Sequence, residues 1–307
     1  QLISLEILVV DNHSNDDSQT VISNSFPEVK WLQMGYNAGF ARANNMAIRQ
    51  CSGEVILLIN PDTLVEANAI ETCYQSFITS NYVACGVQLL NPDRTPQISG
   101  NYVMKGGINY LLPLPYMGPT LKYIASIFNI KKPNVPEALG VVEVDWINGA
   151  FLMVKTRAIQ EAGLLDEDFF LYAEEAEWCS RLKKVGKLCI YGHLHVIHLQ
   201  GETANEAFDS FDKGYFNLYD KKGFQIILSN FLRIRKQFGI IWFVFDLLFY
   251  LFTIPIFFIG VLLTKLTFQN KRKYTFHQWR GFTKNVFNLV RFSGKIIKAK
   301  PHFYKVL

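Results

Sequence analysis

The amino-acid sequence predicts an α/β fold: a doubly wound, mostly parallel sheet followed by apolar, membrane-associated helices. Three observations predict it. Short apolar runs such as Val55-Ile56-Leu57-Leu58-Ile59 are β-branched and unbroken, as strands covered on both faces are. Helical segments alternate with these runs, and that alternation packs economically as a parallel sheet between helices. The third is a long apolar stretch, Gly239 to Thr264, in which only Asp246 is charged.

In chain order, a buried strand is predicted over Leu5 to Val10, then a polar loop, Asp11 to Ser18, rich in helix N-caps, and a short helix over Gln19 to Asn24. A second strand is expected at Val29 to Gln33. Gly35-Tyr36-Asn37-Ala38-Gly39 then turns into a helix from Phe40 to Cys51. The third strand is the run ending at Asn60, and the third helix is expected over Glu66 to Thr79. After Tyr82 the pattern loosens into turns such as Asn91-Pro92-Asp93-Arg94. An apolar insert punctuated by Pro and Gly, Gly106 to Pro136, reads as a loop or lid. Strands are expected again at Val141 to Trp146 and Phe151 to Val154, and a helix from Thr156 to Glu161 closed by Gly163. A helix over Glu174 to Val185 ends at Gly186, and short strands follow at Leu188 to Tyr191 and His195 to Leu199.

The 307 residues suffice for one large α/β domain with an appendage, and a 50% hydrophobic content argues against disorder. The net charge of +5 is unevenly placed. Eleven Lys or Arg and no Asp or Glu lie between Lys265 and Leu307, which leaves 20 basic against 26 acidic residues before them. A basic groove on the globular part is therefore missing, and nucleic acid is not an expected partner. Five scattered cysteines without a CxxC pair read as buried thiols of a reducing compartment.

Chemistry first shows at Asn60-Pro61-Asp62. Ligands of parallel sheets collect beyond the carboxyl ends of the strands, and a carboxylate on a tight turn there suits a hard divalent cation able to neutralise a leaving diphosphate. Read alone, the same residues also make an ordinary turn, with Asp62 or Thr63 capping the next helix.

Further segments join it. Val9-Val10-Asp11-Asn12-His13-Ser14-Asn15-Asp16 is the first; Asn37-Ala38-Gly39-Phe40-Ala41-Arg42-Ala43-Asn44-Asn45 with Leu58-Ile59-Asn60-Pro61-Asp62 is the second. The third combines Asp145-Trp146-Ile147-Asn148-Gly149-Ala150-Phe151, the stretch Leu165 to Arg181 and Val196-Ile197-His198. Together they resemble the family 2 glycosyltransferases, in particular the rhamnosyltransferase-like branch with the GT-A fold.

The resemblance implies an inverting transfer from a nucleotide-diphosphate sugar to a glycan or lipid-linked acceptor, with a divalent cation (Mg or Mn) as cofactor. Asp11 would receive the base, since a carboxylate accepts the ring N–H of uracil or thymine. Asn12, Asn37, Gly39, Asn44 and Asn60 would complete the nucleotide site; Gly39 allows close backbone approach and opens a helix whose N-terminus favours phosphate. Asp62 would hold the metal, with His198 as a further ligand. Glu175 stands where the family has its catalytic aspartate, as the base that takes the acceptor hydroxyl proton; a longer carboxylate in that place changes its reach. Trp146, Glu174 and Glu177 would face the acceptor. Arg181 is expected to pair with Glu177 four residues earlier, and His193 and His195 read as structural.

The implied organisation is a nucleotide-sugar half over 1–90, an acceptor and catalytic half of the same domain over 91–205, and a membrane-associated tail over 206–307. Pro255 divides the apolar stretch, and both flanks are basic (Arg233, Arg235, Lys236; Lys265, Lys271, Arg272, Lys273). One crossing would put a basic flank outside, so a re-entrant or in-plane pair of amphipathic helices at the cytoplasmic face is expected, with a buried helix pair as the other reading. Members of the family usually begin with a strand and helix ahead of the segment Leu5 to Val10, so a first strand is expected to be missing. The rival readings are a catalytically inactive, truncated nucleotide-binding or membrane scaffold protein, and a nucleotidyltransferase.

Overall fold

The computed structural model describes residues 3–66, 68–130, 134–199, 208, 210, 217–266 and 274–306. They divide into two compact units, one of 1–102 with 134–201 and one of 103–133 with 202–307.

In the first unit, β1 (Leu8–Asp11) and β2 (Lys30–Gln33) form a two-stranded parallel sheet, with α1 (Ser18–Ser25) between them in sequence. α2 (Gly39–Ile48) leads to the larger sheet, made of β3 (Val55–Ile59), β4 (Thr63–Val65), β5 (Tyr82–Leu90), β8 (Val141–Val144), β10 (Phe151–Lys155) and β11 (Lys187–His198). Its order is β3-β10-β5-β11-β4, with β8 also beside β11. A third, antiparallel sheet joins β6 (Gly100–Asn101) to β7 (Asn134–Val135) and to β9 (Trp146–Ile147). The helices α3 (Ala69–Ile78), α5 (Thr156–Ala162) and α6 (Glu174–Val185) complete the unit.

Both faces of the large sheet are covered, as the unbroken apolar runs require. Along β10 the side chains alternate: Leu152 and Val154 pack with Ala41 and Ile48 of α2, Ile159 of α5 and Trp178 and Leu182 of α6, while Phe151 and Met153 pack with Cys73 and Phe77 of α3. The sheet is nevertheless mixed and not mostly parallel. β5 and β11 run parallel, whereas β10 is antiparallel to β3 and β5, and β11 is antiparallel to β4 and β8. An apolar run reports that a strand is buried and is silent on the direction of its neighbours.

Two more expectations are corrected here. The stretch after Tyr82 opens with nine residues of the central strand β5, and the expected turn at Asn91 to Arg94 follows only after it. Its Gly86 weakens the strand signal, yet a Cβ there would lie 2.6 Å from Ile147 Cγ2, so close packing requires glycine. The two short strands predicted around Tyr191 are one strand, β11, with an irregularity between Tyr191 and His195. Gly192 sits within it, where a Cβ would meet the Ala138 carbonyl oxygen at 2.0 Å.

The second unit is helical: α4 (Met117–Ile127), α7 (Lys221–Phe238), α8 (Ile240–Leu266) and α9 (Phe276–Lys298), with a 3-10 stretch at Lys105–Leu111. Asp220 caps α7 by accepting from the Gly223 N–H at 2.8 Å, and Thr275 with Gln278 makes a capping box for α9. The expected loop or lid therefore carries ordered helices and belongs with the C-terminal ones. Gly106 (φ 76°) supplies the turn against α8, where a Cβ would fall 2.1 Å from the Trp242 ring.

The expected pair of amphipathic helices is one continuous helix, α8, with Pro255 inside it. Proline removes the hydrogen bond to the Leu251 carbonyl but does not end the helix, because the next turn is anchored by packing. Phe257 is fully buried among the rings of Tyr116, Tyr219, Tyr274 and Phe282. α8 is long and apolar enough to cross a membrane, at 27 residues and a mean hydropathy of 2.4 in its most apolar window. Its outer face leaves Ile241, Phe252, Leu263 and Leu266 more than half exposed, while its one acidic residue, Asp246, is turned inward and fully buried. The predicted basic cluster Lys271-Arg272-Lys273 and the predicted boundary at 205/206 lie outside the described residues.

Candidate active site

The turn after β3 is built by backbone bonds. The Asn60 N–H donates to the Ala150 carbonyl (3.2 Å), the Thr63 N–H to the Asn60 carbonyl (3.1 Å), and the Leu199 N–H to the Asp62 carbonyl (2.9 Å). β4 then pairs with the end of β11 so that Thr63 opposes His198. Two residues 136 positions apart in the numbering thus meet: Asp62 Oδ1 lies 3.4 Å from His198 Nε2. His198 is buried, and its Nδ1 lies 3.1 Å from Gln97 Oε1. Among the described residues no group of three His, Cys, Asp or Glu side chains gathers to hold a metal, so Asp62 and His198 offer a two-donor set.

Glu175 lies in the first turn of α6, and the Asn148-Gly149-Ala150 loop touches both it and the Asp62 turn. Ala150 accepts from Asn60 and, at 3.4 Å, from the Thr63 hydroxyl, whereas a Cβ on Gly149 would fall 3.7 Å from Glu175 Cβ. α6 is entered through Tyr172 (φ 72°) and Ala173 (φ 68°), two successive non-glycine residues in the left-handed region. Each such residue costs about 1–2 kcal/mol, and strain of this kind concentrates at functional sites.

The expected nucleotide residues occupy the ends of β1 and α2. Asp11 is 7% exposed and accepts from the Ser14 N–H and the Gln33 amide. Burial opposes its ionisation, but these hydrogen bonds outweigh it and hold the carboxyl below its ordinary pKa. Asn12 accepts from the Ala38 N–H at 2.7 Å and donates to Asn37 Oδ1 at 3.1 Å, and the Asn37 oxygen also accepts from the Gly39 N–H. These two side chains clasp the loop that enters α2. Gly39 has φ 74°, and a Cβ there would lie 2.0 Å from the Phe170 carbonyl, so only glycine fits. Asn44 is not brought into this group: its amide donates to the Phe40 carbonyl one turn back in α2. The following residue, Asn45, is fully buried and clamps Leu165 through both its N–H and its carbonyl.

Of the three residues expected on the acceptor side, Glu174 and Glu177 are buried and Trp146 is half-buried. Trp146 packs against the core beneath the sheet, with its indole N–H buried and without a hydrogen-bond partner among the described residues. Glu177 is 6% exposed and is held by Arg181 through a two-pronged ion pair of 2.8–3.1 Å, while Arg181 also donates to the Ala162 carbonyl. That pair ties α6 to α5. Glu174 is 3% exposed, with Oε2 unpartnered among the described residues. The i, i+3 and i+4 spacing of the helix turns these carboxylates into the protein, a direction that the motif alone does not reveal.

Burial, and then the neighbouring charge of Glu175, push the Glu174 pKa well above its usual value. The folded protein keeps a proton that the unfolded chain releases near pH 4.5. This stabilisation is complete below that value and is lost as pH rises through the folded pKa. The Glu174→Gln variant should therefore gain stability over wild type as pH rises above about 4.5, read as a widening gap in denaturant midpoints.

Gln97 and Asn45 are the residues the sequence reading missed. Asn45 stands inside the quoted Ala-Asn-Asn motif and was open to recognition there. Gln97 follows a polar turn, Asn91 to Pro96, and carries no local signal.

Parts of the chain are similar to known proteins. Residues 2–131 match the family model Glycosyl transferase family 2. The chain is 26% identical over 187 residues to the low-salt glycan biosynthesis hexosyltransferase Agl10 of Haloferax volcanii, covering 58% of this chain and 53% of that protein. It is 26% identical over 206 residues to the N-acetylglucosaminyl-diphospho-decaprenol L-rhamnosyltransferase of Mycobacterium tuberculosis, covering 61% of this chain and 64% of the relative. The alignments thus span between about half and two thirds of these curated relatives. A solved mannosyltransferase from Pyrobaculum calidifontis, in complex with GDP-Man and Mn2+, is 12% identical and covers 96% of this chain and 78% of its own, with a TM-score of 0.45.

Proposed function

We propose that the chain, whose residues 2–131 match the family model Glycosyl transferase family 2, is an inverting, cation-dependent glycosyltransferase of the GT-A type. It moves a hexosyl group, rhamnosyl by its relatives' names, from a nucleotide-diphosphate sugar to a cell-surface glycan precursor. The observation that carries this reading is the approach of Asp62 Oδ1 to His198 Nε2 at 3.4 Å, next to the Asn148-Gly149-Ala150 loop whose Gly149 packs near Glu175.

Asp11 takes the base at the end of β1, and the loop clasped by Asn12 and Asn37 presents the start of α2 to the diphosphate. Asp62 and His198 would hold the cation: a carboxylate oxygen and an imidazole nitrogen suit Mn2+, and carboxylate suits Mg2+. Once bound, the ion neutralises charge on the leaving diphosphate. Glu175 accepts the proton of the acceptor hydroxyl as its oxygen bonds to the anomeric carbon and the bond from that carbon to phosphate breaks. The acceptor is a lipid-linked glycan at the cytoplasmic face of a membrane. Two features support this: the mycobacterial relative is named for a decaprenol-linked substrate, and α8, about 40 Å long, exceeds the ~30 Å hydrocarbon core.

A thermal-shift panel of nucleoside diphosphates tests the reading. The expected result is that uridine or thymidine diphosphate raises the melting temperature only when Mn2+ is present; stabilisation by none of them would overturn it.

A further inference from the structure

The orientation of Gln97 decides more than its own packing. Gln97 is 5% exposed, and its Nε2 faces three oxygens: the His198 carbonyl at 2.6 Å, Asn91 Oδ1 at 2.9 Å and the Leu90 carbonyl at 3.2 Å. Two of these are backbone carbonyls, which cannot donate. Turning the amide over would set oxygen against oxygen at those distances, so the nitrogen is fixed on that side. The residue cannot swing away either. Its backbone N–H donates to the Leu89 carbonyl at 2.8 Å, and its own carbonyl accepts from Gln88 and Ser99.

The Oε1 atom is thereby presented to His198 Nδ1 at 3.1 Å as an acceptor only. The imidazole must answer with an N–H at Nδ1. In the neutral ring the proton-free lone pair then sits on Nε2, the atom 3.4 Å from Asp62 Oδ1. Two lone-pair-bearing atoms face each other across that gap, an arrangement that favours a shared cation.

We propose that Gln97 is a positioning residue: it holds the His198 proton on Nδ1 and so presets Nε2 and Asp62 as a pair of cation ligands. The inference rests on the proposed cation site and adds to it a residue that acts through His198 without touching donor or acceptor. Hydrogen bonding at the far nitrogen of a ligating histidine typically changes metal affinity by 10- to 100-fold. Here the far-side acceptor is a neutral amide whose orientation is set by backbone carbonyls.

The test uses the full chain in mild detergent with Mn2+ alone as the probe, following free Mn2+ by electron paramagnetic resonance. Gln97→Met keeps the length of the side chain and removes the acceptor; it is expected to weaken Mn2+ binding by about 10- to 100-fold. Asp62→Ala serves as the reference. If it leaves Mn2+ binding intact, the cation site itself is wrong and the inference goes with it. If Asp62→Ala abolishes binding while Gln97→Met does not change it, the site stands and the role of Gln97 is overturned. Long-range 1H–15N spectra of histidine-labelled wild type decide the matter even if a variant fails to fold. The His198 signal, identified by its loss in His198→Asn, should show the proton on Nδ1; a proton on Nε2 alone contradicts the proposal.

Discussion

Replacing Glu175 with glutamine should lower sugar transfer by about 10³-fold, or about 4 kcal/mol of transition-state stabilisation, while nucleotide binding stays within a few-fold of wild type. A general base contributes between about 10² and 10⁴ in rate, and the amide keeps the size of the side chain but cannot take a proton. The loss should fall on kcat, because the acceptor proton moves only in the transition state. Transfer assays with radiolabelled donor, paired with calorimetric titration of the nucleoside diphosphate, measure the two quantities separately. A nucleotidyltransferase built on the same sheet needs no base at this position and would keep its turnover. Undiminished transfer would remove Glu175 from the chemistry. The structure adds a reason to prefer Gln over Ala for this experiment: Glu175 lies beside the close-packed Gly149 and next to buried Glu174, so truncation would disturb the start of α6 as well as the reaction.

The second large effect is expected at Asp62. Asp62→Ala removes the carboxylate that faces His198 at 3.4 Å, and transfer should fall by about 10²- to 10³-fold with a raised Mn2+ requirement, as several kcal/mol of charge stabilisation at the leaving group is lost. The fold should tolerate the change, because the turn is held through backbone atoms: the bonds from Asn60 to Ala150, Thr63 to Asn60 and Leu199 to Asp62 involve no Asp62 side chain. Titrating activity against Mn2+ for wild type and variant gives the result directly. Equal activity at equal Mn2+ would show that the carboxylate plays no part.

Much of the first unit is legible along the chain because its signals are local. The run Val55 to Ile59 announces a buried strand, Gly163 and Gly186 end their helices, and the Asn60-Pro61-Asp62 turn marks where that strand stops. The alternation along β10 supplies helices on both sides of a sheet. Other features are invisible locally. Pro255 argues for a break in any sequence window, yet α8 continues through it because Phe257 is locked among four rings from distant segments. Gly86 weakens the case for a strand at β5 because its close contact with Ile147 is unknown until the chain has folded.

From the sequence alone came the α/β alternation, the identity of the chemically capable side chains and their place at strand ends and helix starts. These are short-range properties, set by which faces are apolar and where the backbone must turn. Tertiary structure decided the rest: the antiparallel insertion of β10, the turning of Glu174 and Glu177 into the protein, and the meeting of Gln97, His198 and Asp62. Periodicity specifies the surface an element buries, whereas contacts across a hundred residues depend on strand direction and register, which arise only when all the elements pack together.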